Sequence, residues 1–170
     1  MDVSTSEARI REAHIREARP EDAARLGVVH VQCWRESYSH LLSQQLLDSI
    51  RPEDRASRWE QIIASPNDQQ WVAEVDGEII GFAGTGPGRD DDATRELELY
   101  AIYVLTAHHG SGAGQALLDA GIGIEPSFLW IATDNPRAEA FYRRNGFEFD
   151  GVTKVAPFFG EMLRESRMVR

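Results

Sequence analysis

Three glycines at alternate positions, Gly110, Gly112 and Gly114, follow a predicted strand and begin a predicted helix. Glycine has no Cβ and readily adopts positive φ, so the backbone there can approach a ligand closely. The first N–H groups of a helix have no partner within it, and with the helix dipole they attract an anion. The pattern indicates either a phosphate site or a flexible, glycine-rich helix start. We name this segment the glycine turn: His109, Gly110, Ser111, Gly112, Ala113, Gly114 and Gln115.

Two familiar phosphate-binding loops can be compared with the glycine turn. A P-loop needs a lysine after its last glycine, and the chain has no lysine other than Lys154, which excludes it. A dinucleotide-binding fingerprint needs a third glycine where the chain has Gln115, although Asp134 lies at a suitable distance downstream. Too few residues follow Asp134 for the remaining units of a doubly wound sheet. A dinucleotide-binding oxidoreductase is therefore the weaker alternative.

A second polar pair, Asn135 and Tyr142, lies farther along the chain. Asp134 or Asn135 caps a predicted helix, and Pro136 occupies its first turn. Tyr142 follows Asn135 by about two helical turns, so both side chains can face one cleft. Asn135 would then offer its amide and Tyr142 its phenol to a ligand. The alternative is that Asn135 only caps the helix and Tyr142 only packs.

Composition narrows the classes of partner. The chain of 170 residues has a formal net charge of -10 and one cysteine, Cys33. Nucleic acid and anionic membrane surfaces need a basic face, so we expect neither as a partner. One cysteine excludes an intramolecular disulfide and a cysteine-rich metal centre, and we expect no metal. Because no signal peptide or membrane-spanning run is evident, we expect a cytoplasmic protein.

The elements that must position these residues follow from the hydrophobic pattern. Residues 1–13 lack one and are expected to form a flexible arm ahead of a single domain, residues 14–170. Alternation predicts strands over Ile15–Ala18, Gln70–Val75, Glu78–Ala83, Arg95–Leu105, Ser127–Thr133, Phe147–Val152 and Glu161–Val169. Helical spacing predicts helices from Pro20 onward and over Leu41–Ile50, Pro52–Ala64, Gly110–Gly123 and Pro136–Asn145. This order predicts a mixed α/β domain.

The two polar segments together resemble a known family. The pattern His109-x-x-Gly112-x-Gly114, followed by Asn135-x-x-Ala138-x-x-Phe141-Tyr142-x-x-x-Gly146-Phe147, resembles the GNAT superfamily of acetyl-CoA-dependent N-acetyltransferases. The similarity covers roughly Trp71 to Phe149. His109 departs from the pattern, because the family usually has Arg or Gln there, but the glycines keep the backbone of the turn.

The resemblance implies a fold and a co-substrate. The fold would be a GNAT-like single domain with a central, mostly antiparallel α+β sheet, in which one pair of parallel strands is splayed and helices flank the sheet. Acetyl-CoA would place its pantetheine arm between the splayed strands, and the glycine turn would bind its pyrophosphate. Further cofactor contacts would come from the backbone of Ile102, Tyr103 and Val104, from Asn135 and from Arg137.

The resemblance also implies a catalytic acid and a catalytic base. An alkylamine with a pKa of ~10.4 is mostly protonated at neutral pH, so its proton must be removed before it can attack. Glu98 is the expected base, since some family members carry a catalytic glutamate at this place in the strand, and Glu96 is its rival. Tyr142 is the expected acid for the departing thiolate. Transfer would be direct, within a ternary complex.

The acceptor is expected to be a primary amine of a small molecule, a polyamine or a peptide N-terminus. Trp34 and Tyr38 lie on the first predicted helix, which walls the acceptor pocket in relatives, and with Glu96 they are the expected acceptor contacts. For Trp34 and Tyr38, core packing is the alternative. A homodimer is a further expectation from the resemblance. A non-catalytic acyl-CoA-binding module on the same fold is the alternative function.

Overall fold

The structure is a computed structural model that describes residues 12–170, so most of the predicted arm at residues 1–13 lies outside the described residues. Helices α1–α5 cover Ala23–Tyr38, Gln44–Ser49, Pro52–Ile63, Ala113–Gly121 and Pro136–Arg144. Strands β1–β7 cover His14–Glu17, Gln69–Val75, Glu78–Pro87, Leu97–Val104, Ser127–Ala132, Glu148–Phe158 and Glu161–Val169. The helices within this range are each too short or too polar to span a bilayer.

The strands of residues 12–170 form one sheet in the order β1-β2-β3-β4-β5-β7-β6. β4 and β5 run parallel, and every other neighbouring pair is antiparallel. This arrangement confirms the predicted mixed sheet with a single parallel pair.

The helices cover both faces of the sheet. Successive side chains of a strand point to opposite faces. Val72 and Phe82 therefore pack against Trp59 on the face covered by α1, α2 and α3, which we call the front face. Ala83 packs against Leu117 on the opposite face, the rear face, which α4 and α5 cover. The core is thus split into two layers by the sheet.

The β2–β3 hairpin is present where the sequence predicts it. Asp76 and Gly77 both have positive φ, 53° and 81°, as a two-residue hairpin turn requires. β3 is longer than the predicted Glu78–Ala83, because it continues through Gly84 and Gly86 to Pro87. A Cβ at either glycine would collide with a neighbouring side chain, so the absence of a side chain is what permits the extension.

β4 and β5 separate soon after they meet. They pair at Leu97–Ser127, Glu98–Phe128 and Leu99–Leu129 only. Beyond these pairs β4 continues along β3 to Val104, while β5 continues along β7 to Ala132. The facing edges of β4 and β5 therefore carry no strand pairing over their last residues, and a gap opens between them.

Candidate active site

The gap between β4 and β5 opens into a cavity of about 470 Å³. Its walls are the end of β4, the glycine turn and α5. The sequence-predicted residues that line it are Ile102, Tyr103, Val104, His109, Gly110, Gly112, Gly114, Gln115, Asn135, Arg137 and Tyr142. Two residues of the turn do not line it: Ser111 donates to His108 O at 2.7 Å, and Ala113 is buried against the sheet.

The edge of β4 that faces the gap presents backbone groups without a strand partner. Leu105 N donates to Ile80 O on β3, which fixes the residues of β4 that point toward β3. Because these directions alternate along a strand, the N–H and C=O groups of Ile102 and Val104 point into the gap. These residues can pair with an extended ligand as a neighbouring strand would.

The glycine turn supplies a set of backbone N–H donors. Gly110 and Gly112 have φ values of 79° and 89°, in the left-handed region that favours glycine. Gly112 is the N-cap of α4, and no side chain caps this end. The N–H groups of Gly114 and Gln115, in the first turn of α4, have no acceptor within the helix. With the helix dipole they suit a phosphate group without the help of a basic side chain.

His109, where the chain departs from the family pattern, contacts the edge of β4. Its Nε2 lies 2.7 Å from Val104 O, one of the groups that point into the gap. The imidazole therefore occupies a hydrogen-bonding position on the edge of β4. A ligand that pairs with Val104 O must displace this contact.

α5 begins beside the same cavity. Pro136 occupies the first turn, where its fixed φ suits a helix start. Asn135 caps the helix, because its Oδ1 accepts from Ala138 N at 3.3 Å. Capping uses only the oxygen, so the amide NH₂ of Asn135 can still donate to a ligand. Arg137 follows it on the exposed side of the helix.

Tyr142 has a largely buried ring between Phe141 and Phe147, with centroid distances of 5.2 Å and 5.8 Å. Burial raises the pKa of the Tyr142 phenol above its ordinary value. The phenol is therefore protonated at neutral pH and can donate a hydrogen bond into the cavity. Full proton transfer to a thiolate with a parent pKa of about 8.5 would be uphill, so hydrogen-bond donation is the role that this environment favours.

Glu98 is a buried carboxylate that forms an ion pair with the exposed side chain of Arg89. Its side chain is 2% exposed, and Arg89 donates to its carboxylate from the backbone N, Nε and Nη2 at 2.9, 3.1 and 2.7 Å. Glu98 also lies where β4 and β5 are still paired. The pair holds the segment before β4 against the strand. Its role as a base stays a prediction, and the geometry gives it a competing structural role.

Glu96 is exposed just before β4 and does not line the cavity. Its backbone oxygen accepts from Gly88 N at 2.7 Å, which helps to close the loop between β3 and β4. Since β4 and β5 pair immediately after this point, Glu96 lies at the closed end of the gap. The structure therefore does not bring Glu96 together with Tyr142 or with the glycine turn.

Trp34 and Tyr38 lie on the front face in an aromatic cluster with Phe158, at centroid distances of 5.0 Å and 5.8 Å. Both are largely buried, as the packing alternative requires. The Tyr38 hydroxyl also lies 2.6 Å from the hydroxyl of Tyr103. Sequence reasoning assigned Tyr103 a backbone contact only and missed this side-chain pair. The signal available was the alternation along β4, which puts the Tyr103 side chain on the opposite face from Ile102.

Cys33 is 1% exposed, and burial raises the pKa of its thiol to about 12. A nucleophilic thiol must be accessible and ionised, so Cys33 is poorly suited to carry an acyl group. We expect a disulfide reagent for thiols, added at pH 8, to leave Cys33 unmodified in the folded protein and to modify it fully in guanidinium chloride. Rapid modification of the folded protein would contradict its burial.

A second cavity of about 580 Å³ lies on the other side of Asn135. The charged side chains that line it are those of Asp134 and Glu139, so it is less suited to phosphate than the cavity at the glycine turn. Within residues 12–170, no three or more His, Cys, Asp or Glu residues are grouped so that they could hold a metal ion.

Known proteins share both the sequence pattern and the fold. The model of the Acetyltransferase (GNAT) family matches residues 30–147. The uncharacterized N-acetyltransferase YuaI of Bacillus subtilis is 32% identical over 153 residues, which are 81% of this chain and 86% of that protein. The probable N-acetyltransferase Rv2775 of Mycobacterium tuberculosis is 31% identical over 144 residues, 82% of each chain.

Among solved structures, the PaiA N-acetyltransferase of Thermoplasma acidophilum, in complex with coenzyme A, has a TM-score of 0.71 and 20% identity. The match covers 91% of this chain and 98% of that chain, and it shows the same fold. The family match spans more than half of the chain and sets aside the oxidoreductase, and together with the relatives named as N-acetyltransferases it favours an enzyme over the non-catalytic module. The chain therefore belongs to the GNAT family and is an acyltransferase enzyme.

Proposed function

We propose that the enzyme transfers acetyl from acetyl-CoA to a primary amine by direct attack, with both substrates bound together. The observation that carries the proposal is the gap between β4 and β5, which opens beside the uncapped N-terminus of α4. An extended thioester with a diphosphate at one end matches this combination of an open strand edge and a set of N–H donors.

Different residues of the cleft would bind different parts of acetyl-CoA. The N–H groups of Gly112, Gly114 and Gln115 would hold the pyrophosphate of acetyl-CoA. The backbone groups of Ile102 and Val104 would pair with the pantetheine arm. These interactions use backbone dipoles only, which explains how an acidic chain can bind an anionic co-substrate.

The same edge of β4 would also stabilise the reaction. The Ile102 N–H points into the gap, where it can donate to the thioester oxygen. Negative charge grows on that oxygen as the amine attacks, so a fixed amide donor stabilises the transition state more than the ground state. Tyr142, protonated and facing the cavity, would donate to the sulfur as the C–S bond breaks. Since Cys33, the only cysteine of the chain, is buried, it is not available to form a thioester intermediate, in agreement with direct transfer.

The amine would approach from the front face. On this side Tyr103 lines the cavity, the buried Tyr38 contacts it through its hydroxyl, and Trp34 and Phe158 pack in the same aromatic cluster. This aromatic surface accepts the apolar part of an amine. The acidic balance of the chain favours a cationic acceptor, such as a protonated alkylamine or polyamine.

Thermal melting with and without CoA tests whether the protein binds the proposed co-substrate. We expect CoA at about 100 times its Kd to stabilise the protein by about 2.7 kcal/mol. For a domain of this size that corresponds to a rise in Tm of roughly 5–10 °C. NAD, which also carries a diphosphate, is the matched control and should leave Tm unchanged, because its second half is not an extended arm.

A screen of primary amines with acetyl-CoA, in which the release of free thiol is measured, tests whether the enzyme transfers acetyl to a primary amine. Thiol release should require both substrates. Stabilisation by CoA without thiol release for any amine of the panel would contradict the amine acceptor. Stabilisation by NAD and not by CoA would contradict the assignment of the cleft.

A further inference from the structure

We infer that Glu165 receives the proton that the acceptor amine loses, and that the hydroxyl groups of Tyr103 and Tyr38, followed by a water molecule between Tyr38 and Glu165, carry the proton to it. The inference rests on the proposed function, because it supplies the proton route for the same cleft. An alkylamine with a pKa of ~10.4 binds mainly as the ammonium ion at neutral pH, so a route for its proton is required before attack.

Glu165 lies on the front face at the open end of the gap. It is opposite Ala132, the last residue of β5. Side chains alternate along β7, so Glu165 shares its face with Leu163, which packs with Ala132 and Tyr38 in one buried cluster. The Glu165 side chain is 23% exposed, so it is close to the buried cluster and still reaches water.

Tyr38 and Tyr103 connect this position with the cavity. Their hydroxyl oxygens are 2.6 Å apart, and Tyr103 lines the cavity. Burial raises the pKa of both phenols, and the negative charge of Glu165, on the same face of the sheet, raises both further. The phenols therefore stay neutral and can pass a proton along but not keep it. A carboxylate at the end of the pair supplies the acceptor.

The groups around Glu165 leave it able to accept a proton. Three titratable groups on neighbouring elements interact with Glu165, namely Lys154 on β6, Tyr38 on α1 and Tyr103 on β4, and its partner on β5 is the apolar Ala132. Lys154 Nζ lies 3.7 Å from the nearer carboxylate oxygen, beyond hydrogen-bond distance. The oxygens therefore keep lone pairs for a proton.

Glu98 contrasts with Glu165 in each of these respects. Its carboxylate accepts three hydrogen bonds from Arg89, and its side chain is sealed from water. It also lies at the closed end of the gap, whereas Glu165 lies at the open end. Of these two acidic residues, Glu165 has the geometry of a proton acceptor and Glu98 that of a structural ion pair.

The route balances in atoms and charge. The ammonium gives a proton to the Tyr103 oxygen, Tyr103 gives its own to Tyr38, and Tyr38 gives its own through the bridging water to Glu165, which releases it to solvent. The freed lone pair forms the C–N bond to the acetyl carbon. After the hydroxyls rotate back, the second proton of the nitrogen follows the same route while the C–S bond breaks. The thiolate takes one proton from water, so each turnover releases one proton.

The test is the pH profile of kcat/KM for an amine found in the screen. Glu165→Gln should lower kcat/KM by about tenfold at pH 7. This loss is smaller than the loss usually seen when a general base is removed, because water can accept the proton in place of the carboxylate. The loss should shrink as the pH rises toward ~10.4, where the amine in solution is itself neutral. Tyr103→Phe should show the same trend. An acceptor analogue whose amine is neutral at pH 7 should remove the loss in both variants.

The controls separate proton transfer from structural damage. Glu161→Gln changes another acid of β7, one that accepts from Ser43 N, and should leave the profile unchanged. Glu98→Gln should lower the Tm without changing the shape of the profile. Glu165→Asp keeps the carboxylate and should recover part of the rate at pH 7. If Glu165→Gln does not fold, Glu165→Asp and Tyr103→Phe provide the comparison.

An equal loss at every pH in Glu165→Gln, or a pH-dependent loss in Glu98→Gln alone, would overturn this route and leave the proposed function intact. If the wild-type enzyme binds CoA but acetylates no amine, the proposed function fails, and this route fails with it.

Discussion

Replacing Gly112 with valine should abolish most of the affinity for CoA. Gly112 has φ of 89°, and a side chain there costs about 1–3 kcal/mol of backbone strain. A Cβ at this position meets no protein atom within 4 Å, so the valine would project into the open space where the phosphates are expected. Loss of two charge-assisted hydrogen bonds, at about 1.5–3 kcal/mol each, weakens binding by roughly 100-fold or more. Calorimetric titration with CoA measures this change.

Gly77→Val is the matched control for this substitution. Gly77 also has a positive φ, 81°, and an open environment, but it lies in the β2–β3 turn. Both variants should lose similar stability in urea, and only Gly112→Val should lose CoA affinity. Equal CoA affinity in the two variants would remove the glycine turn from the binding site.

Tyr142→Phe should lower kcat by about 100-fold, the lower end of what a positioned proton donor contributes. The substitution keeps the ring between Phe141 and Phe147 and removes only the hydroxyl that faces the cavity. CoA affinity should be retained, because the substitution leaves in place the proposed ground-state contacts of the cofactor, which are made by the backbone and by Asn135 and Arg137. Steady-state kinetics with the best amine of the screen, together with calorimetry for CoA, separates the two quantities.

Tyr100→Phe is the matched control, because it also removes a tyrosine hydroxyl, but from β4 instead of α5. The Tyr100 hydroxyl donates to Pro87 O at 2.7 Å and lies outside the cavity, so this variant should keep the wild-type kcat. A full rate in Tyr142→Phe would exclude Tyr142 from the chemical step. A parallel loss of kcat and CoA affinity would indicate disturbed packing of α5.

Local patterns predicted the parts of the cleft that depend on neighbours in sequence. Asp76-Gly77 determines its own turn, because few other pairs adopt two positive φ angles. Gly112 and Asn135 likewise mark the starts of α4 and α5 through the conformation and the cap that each start requires. Most of the cavity wall is built from these two helix starts and the end of β4, but that they form one cleft was expected from the family resemblance and not from the local patterns.

Contacts between distant segments were not predictable from one sequence. Tyr38 and Tyr103 are 65 residues apart, and their hydroxyls meet only because α1 packs on the front face above β4. The pair of Arg89 with Glu98 depends on the course of an irregular loop, so the carboxylate that sequence position favoured turned out to be enclosed. Hydrophobic periodicity carries no information about which polar groups meet across a sheet.

The brief meeting of β4 with β5 has a mechanical consequence. The strands on either side form two blocks, β1–β4 and β5–β7, each with its own continuous ladder, joined by three residue pairs along a short seam. The pantetheine arm of acetyl-CoA, bound along Ile102 and Val104, would pair with the block β1–β4 as an additional strand. It would not form strand pairs with the block β5–β7. Departure of the spent thiol would then remove strand pairing from one block only, and the pairing between the two blocks would be the same with and without the ligand.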